Sequence, residues 1–215
     1  MTQRFLVILS AVLIASAILT GCSTTDQPKA SQPAAAASQP AVKEPTFYTA
    51  KNCFSSMMNL AQRWQLDALP FHMESEENAE ATGQDGKATV WHAYFASRTR
   101  RTMKTITCSG SRLPSAPARG FTDAPEAPYA ANVPAMIFDP SLFLVDSDKA
   151  FATTLDHGGS ALVKKDPKQP VIYSLDWDPK KKEVQWLVIY GKTAVDRQGV
   201  CVVNARTGAF VSAGK

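Results

Sequence analysis

Nothing before residue 46 has the pattern of a folded domain, and that confines any hydrophobic core to residues 46–215. Arg4 supplies a positive start. Residues 5–18 form an uncharged apolar run that stops short of the roughly 20 residues a membrane-spanning helix needs. Residues 1–21 could be an N-terminal transmembrane helix or a cleaved export signal, and the small residues that end the run before Cys22 favour the signal. Residues 22–45 are rich in Ala, Ser, Gln and Pro and have no apolar period, which predicts an unfolded tether. A polyproline-like tether of that length would reach about 70 Å, and a flexible coil less than half of that. The remaining chain is long enough to bury about 70% of its unfolded surface, as one domain or two small ones.

Leu19-Thr20-Gly21-Cys22 resembles the lipobox of bacterial lipoproteins. The resemblance implies cleavage before Cys22 and acylation of that residue, with palmitate among the chains. Several acyl chains on one residue hold a membrane far better than one does. Ser23 follows the cysteine where an Asp would suggest inner-membrane retention, so the resemblance implies an outer-membrane anchor with the globular part in the periplasm.

The sequence has 23 Lys and Arg against 19 Asp and Glu, a net charge of +4, and 45% hydrophobic residues. This excludes a strongly acidic disordered chain and an Arg-rich nucleic-acid arm. Ala50, Cys53, Phe54, Met57, Ala61 and Trp64 form one apolar helical stripe, in a helix that should end before Pro70. Strands are predicted over 68–74, 88–97 and 102–109, with Asp85-Gly86 as a turn. Residues 111–135 hold prolines at 114, 117, 125, 128 and 134 and read as a long connection. The order then repeats. Asp146-Ser147 offers a helix cap, Ala150, Phe151, Thr154 and Leu155 a short stripe, and Gly158-Gly159 a stop. Strands follow over 171–177, 184–190, 200–204 and 209–212, with turns at Asp178-Pro179-Lys180-Lys181-Lys182 and Ala205-Arg206-Thr207-Gly208. The fold class is α+β. Two blocks are expected, 46–110 and 136–215, each one helix packed on a small antiparallel sheet, with Trp91 matched to Trp186 in the longest strand of each.

The second block resembles a PepSY domain. The likeness rests on the Asp148-Lys149-Ala150 helix start, the Gly158-Gly159 pair, the strand from Trp186 to Tyr190, and Val202-Val203-Asn204-Ala205-Arg206-Thr207-Gly208-Ala209-Phe210. Asn204 stands where such sequences usually carry Asp. The resemblance covers about residues 146–212 and, more loosely, the first block. It implies a binding or regulatory module, proposed in that family to restrain peptidases, and it transfers no catalytic residue.

Chemistry is sparse. His72, His92 and His157 fall in no metal-ligand spacing, and no nucleophile elbow, phosphate-cradling loop or CxxC pair occurs. No cofactor or metal is expected. Asp176 and Asp178 could form a carboxylate pair, although a solvated strand end and a turn cap explain them more simply. The basic runs Arg98, Arg100, Arg101, Lys104 and Lys180 to Lys182 could meet anionic headgroups, or simply solvate hairpin turns and protect an edge strand. With Cys22 acylated, Cys53, Cys108 and Cys201 remain. If helix packs on sheet, Cys53 and Cys108 pair and Cys201 is a buried thiol; the alternative is three reduced core cysteines.

Three functional classes stay open: a lipid-anchored, non-catalytic module for another envelope protein, with Tyr173, Trp177 and Trp186 as its binding face; an envelope hydrolase or metal-dependent enzyme using Asp176, Asp178 and a histidine; and a purely structural lipoprotein. A nucleic-acid partner is not expected, and the sequence leaves the oligomeric state open.

Overall fold

Alternating apolar residues build most of this protein. In the strand Val171–Asp178, Val171, Tyr173 and Leu175 are buried while the residues between them are partly open. The computed structural model describes residues 44–214; Cys22 and nearly all of the tether lie outside the described residues. The described chain contains α1 (Ala50–Trp64), β1 (Leu69–Ser75), β2 (Val90–Ser97), β3 (Thr102–Ser109), β4 (Gly120–Asp123), β5 (Ala127–Pro128) and the single turn α2 (Val133–Met136). After a 3-10 turn at Pro140–Leu142 come α3 (Ser147–Thr154), α4 (Ser160–Lys165), β6 (Val171–Asp178), β7 (Glu183–Gly191), β8 (Arg197–Asn204) and β9 (Phe210–Gly214).

The strands form one antiparallel sheet in the order β4-β3-β2-β1-β6-β7-β8-β9, with β5 also on β3. Each half of the chain therefore carries its helix ahead of a four-stranded meander, β1 to β4 in the first and β6 to β9 in the second. The two separate small sheets expected from the sequence are instead joined through their first strands, β1 and β6, over only three residue pairs. The proline-rich connection also differs from expectation, because β4 and β5 within it cover the outer edge of β3.

Helices α1, α3 and α4 pack on one face, and the single turn α2 lies on the other, where Val133 and Ile137 meet Ala96. The core that α1, α3 and α4 share includes Phe54, Phe95, Phe143, Trp91, Tyr173 and Trp186. Trp186 lies edge-on to Phe143 at 5.5 Å and to Tyr173 at 6.3 Å, and 6.4 Å from Trp91. The two helix starts interlock. Asp146 Oδ1 caps α3 by accepting from the Ser147 amide, and accepts from the Lys51 amide of α1 as well. Ser147 Oγ accepts from the Ala50 amide and donates to the Gly86 carbonyl. Amides that a helix N-terminus leaves unpaired are thus satisfied from the other half of the chain.

Gly158-Gly159 does not stop the helix. The chain kinks over Leu155–Gly159, with Gly158 at φ 103°, and resumes as α4. Gly159 is required there because a Cβ would lie 2.0 Å from the Tyr190 hydroxyl. His157, in the kink, stacks on Phe210 at 3.9 Å. Among the described residues no helix is long and apolar enough to cross a membrane.

Candidate functional site at the sheet seam

Met73 is fully buried under the helices, so its neighbours His72 and Glu74 project from the opposite face of β1. On β6 the same alternation turns Tyr173 and Leu175 inward and presents Ser174 and Asp176. The seam register sets His72 opposite Asp176 and Glu74 opposite Ser174. His72 Nδ1 lies 2.7 Å from Asp176 Oδ1, and Nε2 lies 3.4 Å from Glu74 Oε2. Ser174 Oγ donates to Asp176 Oδ2. The Tyr94 hydroxyl of β2 donates to Glu74 Oε1 at 2.8 Å. Beyond it, His92 contacts Glu76 Oε2 at 2.8 Å through Nε2 and Thr107 Oγ1 at 2.9 Å through Nδ1.

These contacts set the electrostatics. Burial pulls the His72 pKa down, but bonding to Asp176 and Glu74 outweighs it and raises the pKa to about 9, so the ring is an imidazolium at neutral pH. Glu74 is held below the usual carboxylate range, chiefly by its bond to His72. Burial, then Glu74, pushes the Tyr94 phenol upward, which keeps it a hydrogen-bond donor. The groups border an open cavity of about 490 Å³, with Ile172 and Ile189 as apolar walls and Lys192, Thr193 and Ala194 on its rim.

A raised histidine pKa contributes stability that is fully present below the unfolded value of about 6.5 and is lost as pH rises through about 9. The depressed Glu74 pKa acts on the other side, and its contribution is lost as pH falls below the ordinary carboxylate range. Denaturant unfolding of the wild type should therefore weaken between pH 7 and 10 by on the order of 2 kcal/mol more than that of His72→Gln. Parallel alkaline declines in the two proteins would refute the imidazolium bridge.

The sequence-predicted residues scatter. Asp176 belongs to the seam cluster. Asp178 does not join it: its Oδ1 accepts from the Lys180 and Lys181 amides at 2.9 and 3.2 Å and pins the β6–β7 turn. The proposed aromatic face is corrected, because Tyr173 and Trp186 are 1% and 0% exposed and Trp177 packs against the same core. Those residues occupy the inward positions of β6 and β7. Cys53 and Cys108 are disulfide-bonded, and Cys201 is a buried thiol whose pKa is raised by burial. In the basic run, Arg100 pairs with Glu126, Lys104 with Asp123, and Arg98 donates to the Pro134 carbonyl.

Glu74, Glu76 and Tyr94 were missed from sequence. The available signal was the spacing of His72 with Glu74 and of His92 with Tyr94, two apart and so on one face of a strand. No group of three or more His, Cys, Asp or Glu side chains suited to a metal occurs among the described residues.

The chain is a sheet-dominated α+β protein. No protein-family model and no curated protein matches it. Among solved structures, the crystal structure of a "putative lipoprotein" from Clostridium difficile 630 is similar at 11% identity, over 75% of this chain and 91% of that one, with a TM-score of 0.49.

Proposed function

We propose that this protein is a lipid-anchored cell-envelope component whose globular part is a non-catalytic binding or regulatory module for another envelope protein, a peptidase being one candidate. The anchor reading rests on Arg4, the apolar run and Leu19-Thr20-Gly21-Cys22, with Ser23 favouring the outer membrane. The observation that carries the module reading is the cavity on the sheet face opposite α1 and α3, ordered by the charge-assisted His72–Asp176 bond across the seam and the Tyr94–Glu74 bond beside it. This replaces the aromatic face expected from sequence.

The cluster is built to hold a shape rather than to turn over. An imidazolium with a pKa near 9 is a poor general base at neutral pH. Ser174 gives its hydrogen bond to Asp176, not to His72, so it is not an activated nucleophile. The His72–Asp176 contact is the one feature that favours the hydrolase reading, and Asp178 adds nothing to it because the turn uses its carboxylate.

A duplicated PepSY-like origin draws support from one matched detail. Trp91 donates its indole N–H to the carbonyl of Tyr48, two residues before α1, at 2.9 Å, and Trp186 donates to Val145, two residues before α3, at 2.8 Å.

The test is site-specific photocrosslinking of the full chain in its own envelope. A photoreactive residue replacing Ala194, on the cavity rim, should give a discrete adduct with one protein, whereas the same residue at Ser55 on the exposed side of α1 should not. No adduct from Ala194, or the same adducts from both positions, would refute the module reading.

A further inference from the structure

A second recess lies at the other end of the strands from Gly110, the residue whose carbonyl accepts from the Thr46 amide where the described chain begins. It has a volume of about 320 Å³ and is formed where the β6–β7 turn adjoins the β8–β9 turn, with Ala205 N donating to the Val184 carbonyl at 2.8 Å. Leu142 and Val184 supply its apolar surface, and Lys181, Lys182 and Arg206 its cations.

Both turns are pinned by their own polar side chains, and of the three cations only Lys181 has an ion-pair partner among the described residues, Asp178. Asn204 Oδ1 accepts from the Arg206 and Thr207 amides, each at 2.9 Å, and is a neutral amide where a carboxylate would have cancelled a charge. Asp178 spends Oδ1 on two turn amides and stands 4.0 Å from Lys181 Nζ. The side chains of Lys182 and Arg206 have no hydrogen-bond or ion-pair partner among the described residues. Glu183 is the one acid on the wall, and it accepts from Gln185.

The geometry points to an anion site that takes a phosphomonoester group, with the organic part of the ligand against Leu142 and Val184. With Lys181 paired to Asp178, Glu183 is the one further carboxylate against Lys182 and Arg206, so the wall keeps a net positive charge that a phosphomonoester, about −1.5 to −2 at neutral pH, complements. A guanidinium beside two ammonium groups suits several oxygens on a single centre. The phosphate could belong to a lipid headgroup or to a soluble ester. This site is separate from the seam cavity, and its proposal does not depend on the module reading.

Calorimetric titration of the full chain in detergent, with inorganic phosphate, glycerol 3-phosphate and dihexanoyl phosphatidic acid, tests it. Saturable binding of a phosphate ester should weaken at least about tenfold in Lys182→Asn/Arg206→Gln and stay unchanged in Lys164→Ala/Lys165→Ala, on α4. Asn is chosen at 182 because the backbone there has φ 56°, which Asn tolerates. Phosphatidic acid binding more than about tenfold tighter than glycerol 3-phosphate would identify a lipid source, and equal binding a soluble one. The proposal is overturned if none of the probes saturates, if both double variants lose binding equally, or if succinate binds as tightly as phosphate.

Discussion

Trp186→Ala should be the most damaging single substitution in the described chain. The side chain is fully buried, and its ring meets Phe143, Tyr173 and Trp91, so it joins aromatic groups from both halves. Truncating a buried Trp to Ala costs about 3–5 kcal/mol through lost transfer energy and the cavity left behind. The Val145 carbonyl would also lose its indole donor, at about 1 kcal/mol or more. Against a total stability of roughly 5–15 kcal/mol, such a loss leaves the domain marginal. Trp186→Phe keeps most of the volume and should cost only about 1–3 kcal/mol, comparable to losing the hydrogen bond and part of the packing. Urea unfolding of the two variants separates these contributions. A midpoint for Trp186→Ala close to that of the wild type would mean that the two halves do not share this core.

Breaking the disulfide comes next in size. Cys53 on α1 and Cys108 on β3 are separated by 55 positions, and both are buried. Chain-entropy reasoning gives a loop of that length about 4 kcal/mol, through the restriction it places on the unfolded chain. Cys53→Ala/Cys108→Ala should therefore unfold about 8–16 °C lower than the oxidised protein. Reduction of the wild type should have a similar effect. Cys201 is buried under α4 and the kink, with its Sγ 3.9 Å from the His157 carbonyl, and should be alkylated only on unfolding. Thermal unfolding with and without reductant checks the claim, and coincident curves would dismiss it.

Much of the architecture was legible because its signals are local. The apolar stripe from Ala50 to Trp64 matches α1, the alternation over 171–177 matches β6, and Asp146 caps α3 as its position before Ser147 suggests. The turn glycines Gly86 and Gly208 adopt the positive φ expected of them, 78° and 77°. The kink at Gly158 was not legible as one. A Gly-Gly pair marks a place where a helix can end, but whether the chain turns away or resumes depends on what Tyr190 leaves room for.

The candidate site was much less legible than the fold. Alternation assigns His72, Glu74, Ser174 and Asp176 to the faces of their own strands, and it says nothing about which strands adjoin. His72 and Asp176 are 104 positions apart and meet only because β1 and β6 pair over three residues. The same absence of register information let Tyr173 and Trp186 be read as an outward face. A period of two names two faces without saying which one the helices cover.

The sequence by itself therefore determined the order and type of α1, α3 and the seven longer strands, the two alternating sets on a strand such as β6, and the segment before residue 46 that has no folded pattern. Those properties follow from backbone periodicity and from the conformational preferences of single residues. Only the tertiary structure decided that two meanders form one sheet, which face α1 and α3 cover, and that a histidine from one half is held between carboxylates from both. Strand pairing is a choice among long-range registers, settled by burying one shared aromatic core, and no local pattern encodes it.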